Sequence, residues 1–123
     1  MATTFRFRQF LVYKDARIFI QTTKRLARKQ FPAEERFALT SQLCRALDSV
    51  ILNIAEGADR STDLDFAHFL NLSHTSLNEV VACFDVALDL TYISQKEHSV
   101  LLKQASKLVD QITAFRRKLL RSQ

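Results

Sequence analysis

Glycine and proline occur once each in this chain of 123 residues, as Gly57 and Pro32. Soluble domains ordinarily carry roughly 12% of the two together. An all-β fold needs many tight reversals built on residues that reach positive φ or pre-set a turn, and this chain cannot supply them. Helices joined by a few short breaks are the economical alternative, so an all-α fold is expected. The same scarcity removes the glycine-rich phosphate loops of nucleotide-dependent enzymes, whose backbone approaches the ligand where a Cβ would intrude. Apolar residues make up 47% and charged ones 25%. That balance suits one hydrophobic core, with residues 1–123 as a single domain, and argues against disorder.

Apolar spacing divides the chain into four helices over about residues 10–30, 32–56, 62–91 and 95–121. In the first, Val12, Ala16, Phe19, Thr23 and Leu26 recur every three or four residues, opposite Lys14, Arg17, Lys24, Arg25 and Arg28. Pro32 disfavours helix at Phe31 and suits the first turn of a second helix, where Glu34 and Glu35 meet the positive end of the dipole. That helix presents Phe37, Leu43 or Cys44, Leu47, Val50 or Ile51, and Ile54 on one face. Gly57 stands where a left-handed C-terminal cap is wanted. Ser61 or Thr62 can cap a third helix, whose first turn holds Asp63 and Asp65 and whose period runs through Phe66, Leu70, Leu77, Phe84 and Leu88. Ser94 with Glu97 is a capping-box pattern for a fourth, with Leu101, Ala105, Leu108, Ile112, Phe115 and Leu119 as its stripe. Four such helices on short turns predict an up-down-up-down four-helix bundle.

Charge is segregated along the chain. Residues 1–30 hold eight Lys or Arg against one acid, a net +7; residues 31–93 hold three against ten, or −7; residues 94–123 hold seven against two, or +5. First and last helices are neighbours in an up-and-down bundle, so their cations are expected on one face. Lys14, Arg17, Lys24, Arg25, Arg28 and Lys29 of the first helix are the candidate phosphate contacts, with Arg116, Arg117, Lys118 and Arg121 of the last. They could displace condensed counterions from RNA or DNA without reading its sequence. Alternatively, the acidic middle helices pair with basic faces of neighbouring copies and drive assembly. The arm from Thr3 to Phe10 sets Arg6 and Arg8 between Phe5, Phe7 and Phe10, as nucleic-acid-tracking arms do. It equally suits a hydrophobic strap on the bundle, and the strap is favoured because exposed Phe costs solubility.

Helical bundles house di-iron sites when two Glu-x-x-His pairs and two more inward carboxylates are available. Here Asp65 with His68 is the nearest match, and His74 and His98 lack an acid three residues earlier. No metal, cofactor or catalytic role is expected. Cys44 and Cys83, set among apolar neighbours, read as reduced buried thiols. The chain lacks a signal-like or membrane-spanning apolar run, and the expectation is a cytoplasmic protein without membrane contact. Gln42, Arg45, Ser49, Asn53, Glu56 and Arg60 share one face of the second helix, with Ser73, Ser76 and Glu79 as counterpart on the third. Antiparallel pairing sets Arg45 level with Glu79 as an expected ion pair. The seam is read as fixing helix register or a subunit contact, ahead of a ligand site.

The stretch from Ser41 to Gly57, ending in Asn53-Ile-Ala-Glu-Gly57, with Arg60 and Phe66-Ala-His-Phe-Leu70 after it, resembles the bacterial 23S rRNA intervening-sequence, or S23 ribosomal, proteins. Phe10-Leu-Val-Tyr13 with Ala16, Phe31-Pro32 with Glu35, and Ser76-Leu77 with Glu79 extend the resemblance over nearly the whole chain. Two departures stand out: Cys44-Arg45 replaces two adjacent basic residues, and Thr75-Ser76 replaces Gly-Ser. The resemblance implies a small nonenzymatic cytosolic bundle that assembles as a homo-oligomeric ring of five. Such proteins are often encoded within intervening sequences of large-subunit rRNA genes, which suggests structured RNA or a ribosomal component as partner. Arg45, Asn53, Glu56, Gly57, Arg60, Ser76 and Glu79 are then architectural. Accessory proteins of diversity-generating retroelements share the fold and ring, and bind nucleic acid and a reverse transcriptase through a basic surface. They supply the rival expectation, and a ring that binds only proteins supplies a third.

Overall fold

The computed structural model describes residues 4–121, so Thr3 of the expected arm lies outside the described residues. The apolar period is realised in four long helices, α1 (Leu11–Gln30), α2 (Leu39–Gly57), α3 (Asp63–Asp89) and α4 (Gln95–Arg121), with no strand among the described residues. Short breaks force successive helices to run antiparallel. α1 packs on α2 and α4, and α3 packs on the same two, so α1 and α3 stand diagonally in an up-and-down bundle. Its core joins Ala16 and Phe19 of α1, Leu47 and Ile54 of α2, Phe66, Leu70, Leu77 and Phe84 of α3, and Leu108 and Ile112 of α4. Each large side chain so buried contributes about 1.5–3 kcal/mol of transfer free energy.

Two of the expected caps form. Thr62 Oγ1 accepts from the Asp65 N–H at 3.1 Å and opens α3. At α4, the Glu97 N–H donates to Ser94 Oγ at 3.0 Å while the Ser94 N–H donates to Glu97 Oε1 at 2.9 Å. Gln30 Nε2 donates to the same carboxylate oxygen at 3.0 Å and to the Tyr92 carbonyl at 3.1 Å. The box therefore also ties the end of α1 to the start of α4.

Two expectations at α2 are corrected. Pro32 does not open a continuous helix: it precedes a 3-10 turn, Ala33–Glu35, and α2 begins only at Leu39. Glu35 accepts the Leu39 N–H at 3.2 Å and the Tyr92 O–H at 2.7 Å, which holds this corner against the α3–α4 turn. Phe37 is consequently outside the core, 87% exposed, beneath the Arg36 guanidinium.

Gly57, the second, is no left-handed cap, since its φ is not positive and it ends α2. What matters is its missing Cβ, which would lie 2.6 Å from Phe69 Cβ and 3.0 Å from Phe66 Cδ1. The left-handed position falls instead on Thr91, with φ of 62°. There the Tyr92 N–H reaches Ala87 O and the Thr91 N–H reaches Leu88 O, both at 2.9 Å, the paired bonds of a Schellman motif closing α3.

Two consequences are measurable. Gly57→Ala gains about 1 kcal/mol of helix propensity, but the Phe69 Cβ it meets is fixed to the α3 backbone. Overpacking of that kind costs roughly 1–3 kcal/mol. A lower Tm in thermal unfolding is expected; an unchanged or raised Tm would show that α2 and α3 separate freely. Glu97 is held below its ordinary value of 4.5, first by the bond from the Ser94 backbone and then by that from Gln30. A carboxyl lowered on folding stabilises the fold above its unfolded pKa and loses that contribution as pH falls through the folded value. Glu97→Gln is expected to lower Tm near neutrality, with the gap to the native chain narrowing below pH 4.5. A gap that stays constant into acid would remove the charge from the account.

Candidate nucleic-acid interface

Val12, Ala16, Phe19, Ile20, Thr23 and Ala27 turn one face of α1 to the core. Lys14, Arg17, Arg25, Arg28 and Lys29 are left exposed. The flanks of the helix are marked by two bonds. Asp15 accepts from Gln111 Nε2 of α4 at 2.8 Å, and Lys24 binds Asp48 of α2 at 2.7 Å. The α1 cations therefore occupy its solvent side, with Lys24 at the edge nearer α2 and Lys29 close enough to Glu97 of α4 to help lower that carboxyl. Lys14 and Arg17 also line, with Ile18, Ile20, Gln21 and Ile51, an open hollow of about 520 Å³ between α1 and α2.

The α4 cations lie elsewhere. Phe115 meets Phe10 at the start of α1, with ring centroids 5.1 Å apart, whereas Glu97 meets Gln30 at its end. Arg116, Arg117, Lys118 and Arg121 are thus at the Phe10 end of the bundle. Lys24 to Lys29 are at the other, roughly 20–30 Å away at 1.5 Å rise per residue. Arg116 is half-buried, its Nε donating to the Ala67 carbonyl at 3.2 Å, while Arg117, Lys118 and Arg121 are exposed. The expected single patch is corrected to a basic track along the bundle, because antiparallel helices separate the two clusters. Two of the ten side chains are already engaged within the chain: Lys24 by Asp48 and Arg116 by the α3 backbone. Lys14, Arg17, Arg25, Arg28, Arg117, Lys118 and Arg121 make no ion pair among the described residues.

The arm packs as a strap. Phe7 stands edge-on to Tyr13 at 4.9 Å between centroids, and Phe10 lies against both Phe66 and Phe115. Its fastener is Arg6, which the sequence marked only as one of two cations in the arm. Arg6 Nε and Nη2 donate to the Ala58 carbonyl at 3.0 and 2.6 Å, satisfying an orphan acceptor at the end of α2. The guanidinium lies 5.7 Å from the Phe10 ring centroid and 5.5 Å from that of Phe66. The signal was a cation set between aromatics, but nothing in the spacing named its acceptor 52 residues away.

The seam between α2 and α3 is built from small groups. Ser76 Oγ donates to Ser49 Oγ at 2.8 Å, Ser73 Oγ to the Val50 carbonyl at 2.6 Å, and Asn53 Nδ2 to the Ser49 carbonyl at 2.8 Å. The expected Arg45 to Glu79 pair does not form: both side chains stay exposed, one turn beyond the serines that do meet. Solvated ions gain little from pairing, so this part of the seam is held by the hydroxyls and not by an ion pair. Glu56 is exposed, and Arg60 staples the turn, 3.0 Å from Asp65 Oδ2 and 4.6 Å from the Phe69 ring centroid.

Among the described residues, no group of three or more His, Cys, Asp or Glu side chains could hold a metal ion. No helix there is long and apolar enough to cross a membrane. Burial, with Glu79 nearby as a lesser cause, pushes the Cys83 thiol up and keeps it protonated. No curated protein matches the chain. A crystal structure from Bacteroides thetaiotaomicron, described as a protein with unknown function from the S23 ribosomal protein family, is similar at a TM-score of 0.79. It shares 17% identity over 87% of this chain and 96% of that one, a likeness of fold. The sequence profile described as 23S rRNA-intervening sequence protein matches residues 8–114, from the strap into the last third of α4, and the chain belongs to that family.

Proposed function

We propose that this protein is a nonenzymatic, homo-oligomeric, cytoplasmic nucleic-acid-binding protein that holds structured RNA by its phosphates. The observation that supports this most directly is the run of Lys14, Arg17, Arg25 and Arg28 on the outer side of α1, exposed and free of intramolecular ion pairs among the described residues. Arg117, Lys118 and Arg121 extend the track at the Phe10 end. Long, mobile cations spaced along a rigid helix can each displace a counterion from a phosphate backbone, giving affinity without base readout. Lys24 and Arg116 flank the track and keep the helices in place. The name of the matching family favours large-subunit rRNA over DNA as the polyanion.

Fluorescence anisotropy with labelled structured RNA and duplex DNA tests the proposal. Between about 50 and 200 mM salt, six or more phosphate contacts weaken affinity by about 10³-fold or more. Arg25→Glu with Arg28→Glu is expected to weaken binding at least about tenfold and to flatten the salt dependence. A preference for RNA supports the rRNA association. Absence of binding at low salt, or a charge-reversed chain that binds as well as the native one, overturns the proposal.

A further inference from the structure

Phe37 exposes more of its side chain than any other large apolar residue among those described, 87%. The corner that carries it is held at both ends. Phe31 is buried against Tyr92, with ring centroids 5.6 Å apart, and Leu39 is buried where α2 begins. Between them the Arg36 N–H donates to the Ala33 carbonyl at 3.1 Å and the Ala38 N–H to the Glu35 carbonyl at 3.0 Å. The Glu35 carboxylate adds its bonds to Leu39 and Tyr92. A ring presented to water by a fixed backbone forfeits the free energy that burial would return.

Its neighbours along the corner are exposed Ala33, Glu34, Arg36 and Ala38. Two alanines do not make the contiguous apolar patch on which a protein contact is built. A stacked nucleobase needs less: one open aromatic face, and a cation for the phosphate that comes with the base. Phe37 supplies the face. The Arg36 guanidinium lies over the ring, 5.3 Å from its centroid, and makes no ion pair among the described residues. Exposed Arg28 and Lys29 close α1 just before the corner, so the basic track runs up to this ring. The Tyr92 hydroxyl is pushed up, first by the bond to Glu35 and least by the charge of Glu34, so both acids of the corner lie within reach of Tyr92.

We infer that Phe37 stacks on an unpaired nucleobase of the bound RNA, with Arg36 holding that nucleotide's phosphate. This rests on the RNA reading above and adds to it a contact that the phosphate track does not make. The track gives affinity for any polyanion. Bases inside a continuous duplex have no free face, so the ring selects RNA that splays a base out at a loop, bulge or end. Every base has a π-face, so the selection is for an unpaired nucleotide and not for a sequence.

Fluorescence anisotropy with two RNAs of equal phosphate number tests the inference, one a blunt continuous duplex and the other a duplex interrupted by a single-stranded internal loop. The native chain is expected to bind the looped RNA about tenfold tighter. Phe37→Ala is expected to bind the two alike, and Phe37→Trp to keep the preference, with circular dichroism checking that both variants keep their helices. The chain has no tryptophan, so the emission of Phe37→Trp reports on this ring alone. Looped RNA is expected to quench it and blunt duplex to leave it largely unchanged. A native chain that does not discriminate, or a Phe37→Ala chain that still prefers the loop, overturns the inference, and salt-dependent binding of both RNAs then leaves the phosphate reading standing. A fall in mass by light scattering for Phe37→Ala assigns the ring to a contact between copies and overturns it too. Absence of binding to either RNA at low salt overturns both readings together.

Discussion

The close approach of α2 and α3 at Gly57 governs one whole end of the bundle. With no Cβ in the way, the Phe66 ring and the Phe69 Cβ come to within a distance that any other residue at position 57 would obstruct. Phe66, 1% exposed, then presents its ring to Phe10, Phe115 and the Arg6 guanidinium. Arg6 in turn closes off the Ala58 carbonyl. A steric vacancy is thereby converted into a packed aromatic cluster, and the cluster into an anchor for the N-terminal strap. Farther along the seam, the Ser76–Ser49 bond and the Ser73 bond to the Val50 carbonyl keep α2 and α3 in the register that this contact sets.

Much of the fold was legible because its signals are local. The capping box at Ser94 and Glu97 and the cap at Thr62 were read from residue type and spacing alone, and both form. Apolar period placed α1, α3 and α4 to within a residue or two. The misreadings share a physical cause: they concern residues whose partners are distant in sequence. Glu35 was assigned to a helix dipole, yet it is claimed by the Tyr92 hydroxyl and breaks the expected helix short. Gly57 carried a strong local signal for a cap, and a tertiary contact overrode it. Thr91, a β-branched residue, gave no hint that it would adopt a left-handed conformation.

The candidate interface was only half legible for the same reason. Counting charge along the chain found the basic segments, and the helical period showed that most of their cations would reach solvent. Which cations are engaged internally depends on a neighbouring helix: Asp48 faces Lys24, and the Ala67 carbonyl faces Arg116. Charge segregation by helix also does more than one job in a bundle of this connectivity. It leaves Lys14, Arg17, Arg25 and Arg28 of α1 open to solvent, and it sets exposed acids, Glu79, Asp85 and Asp89, on α3.

The two ends of the bundle are held by different physics. At Gly57 the restraint is chiefly steric and aromatic, closed by the Arg6 bonds to the Ala58 carbonyl. At the opposite end it is a set of polar bonds among Gln30, Glu35, Tyr92, Ser94 and Glu97. There Thr91 occupies a backbone region that costs about 1–2 kcal/mol for an L-residue with a Cβ. Strain and solvent-reachable bonds lower the free energy of local opening relative to the core. Fraying should therefore begin at the α3–α4 turn, and amide exchange there should be the fastest at any helix junction. Arg28 and Lys29 sit beside that turn, at the loosest joint of an otherwise rigid track.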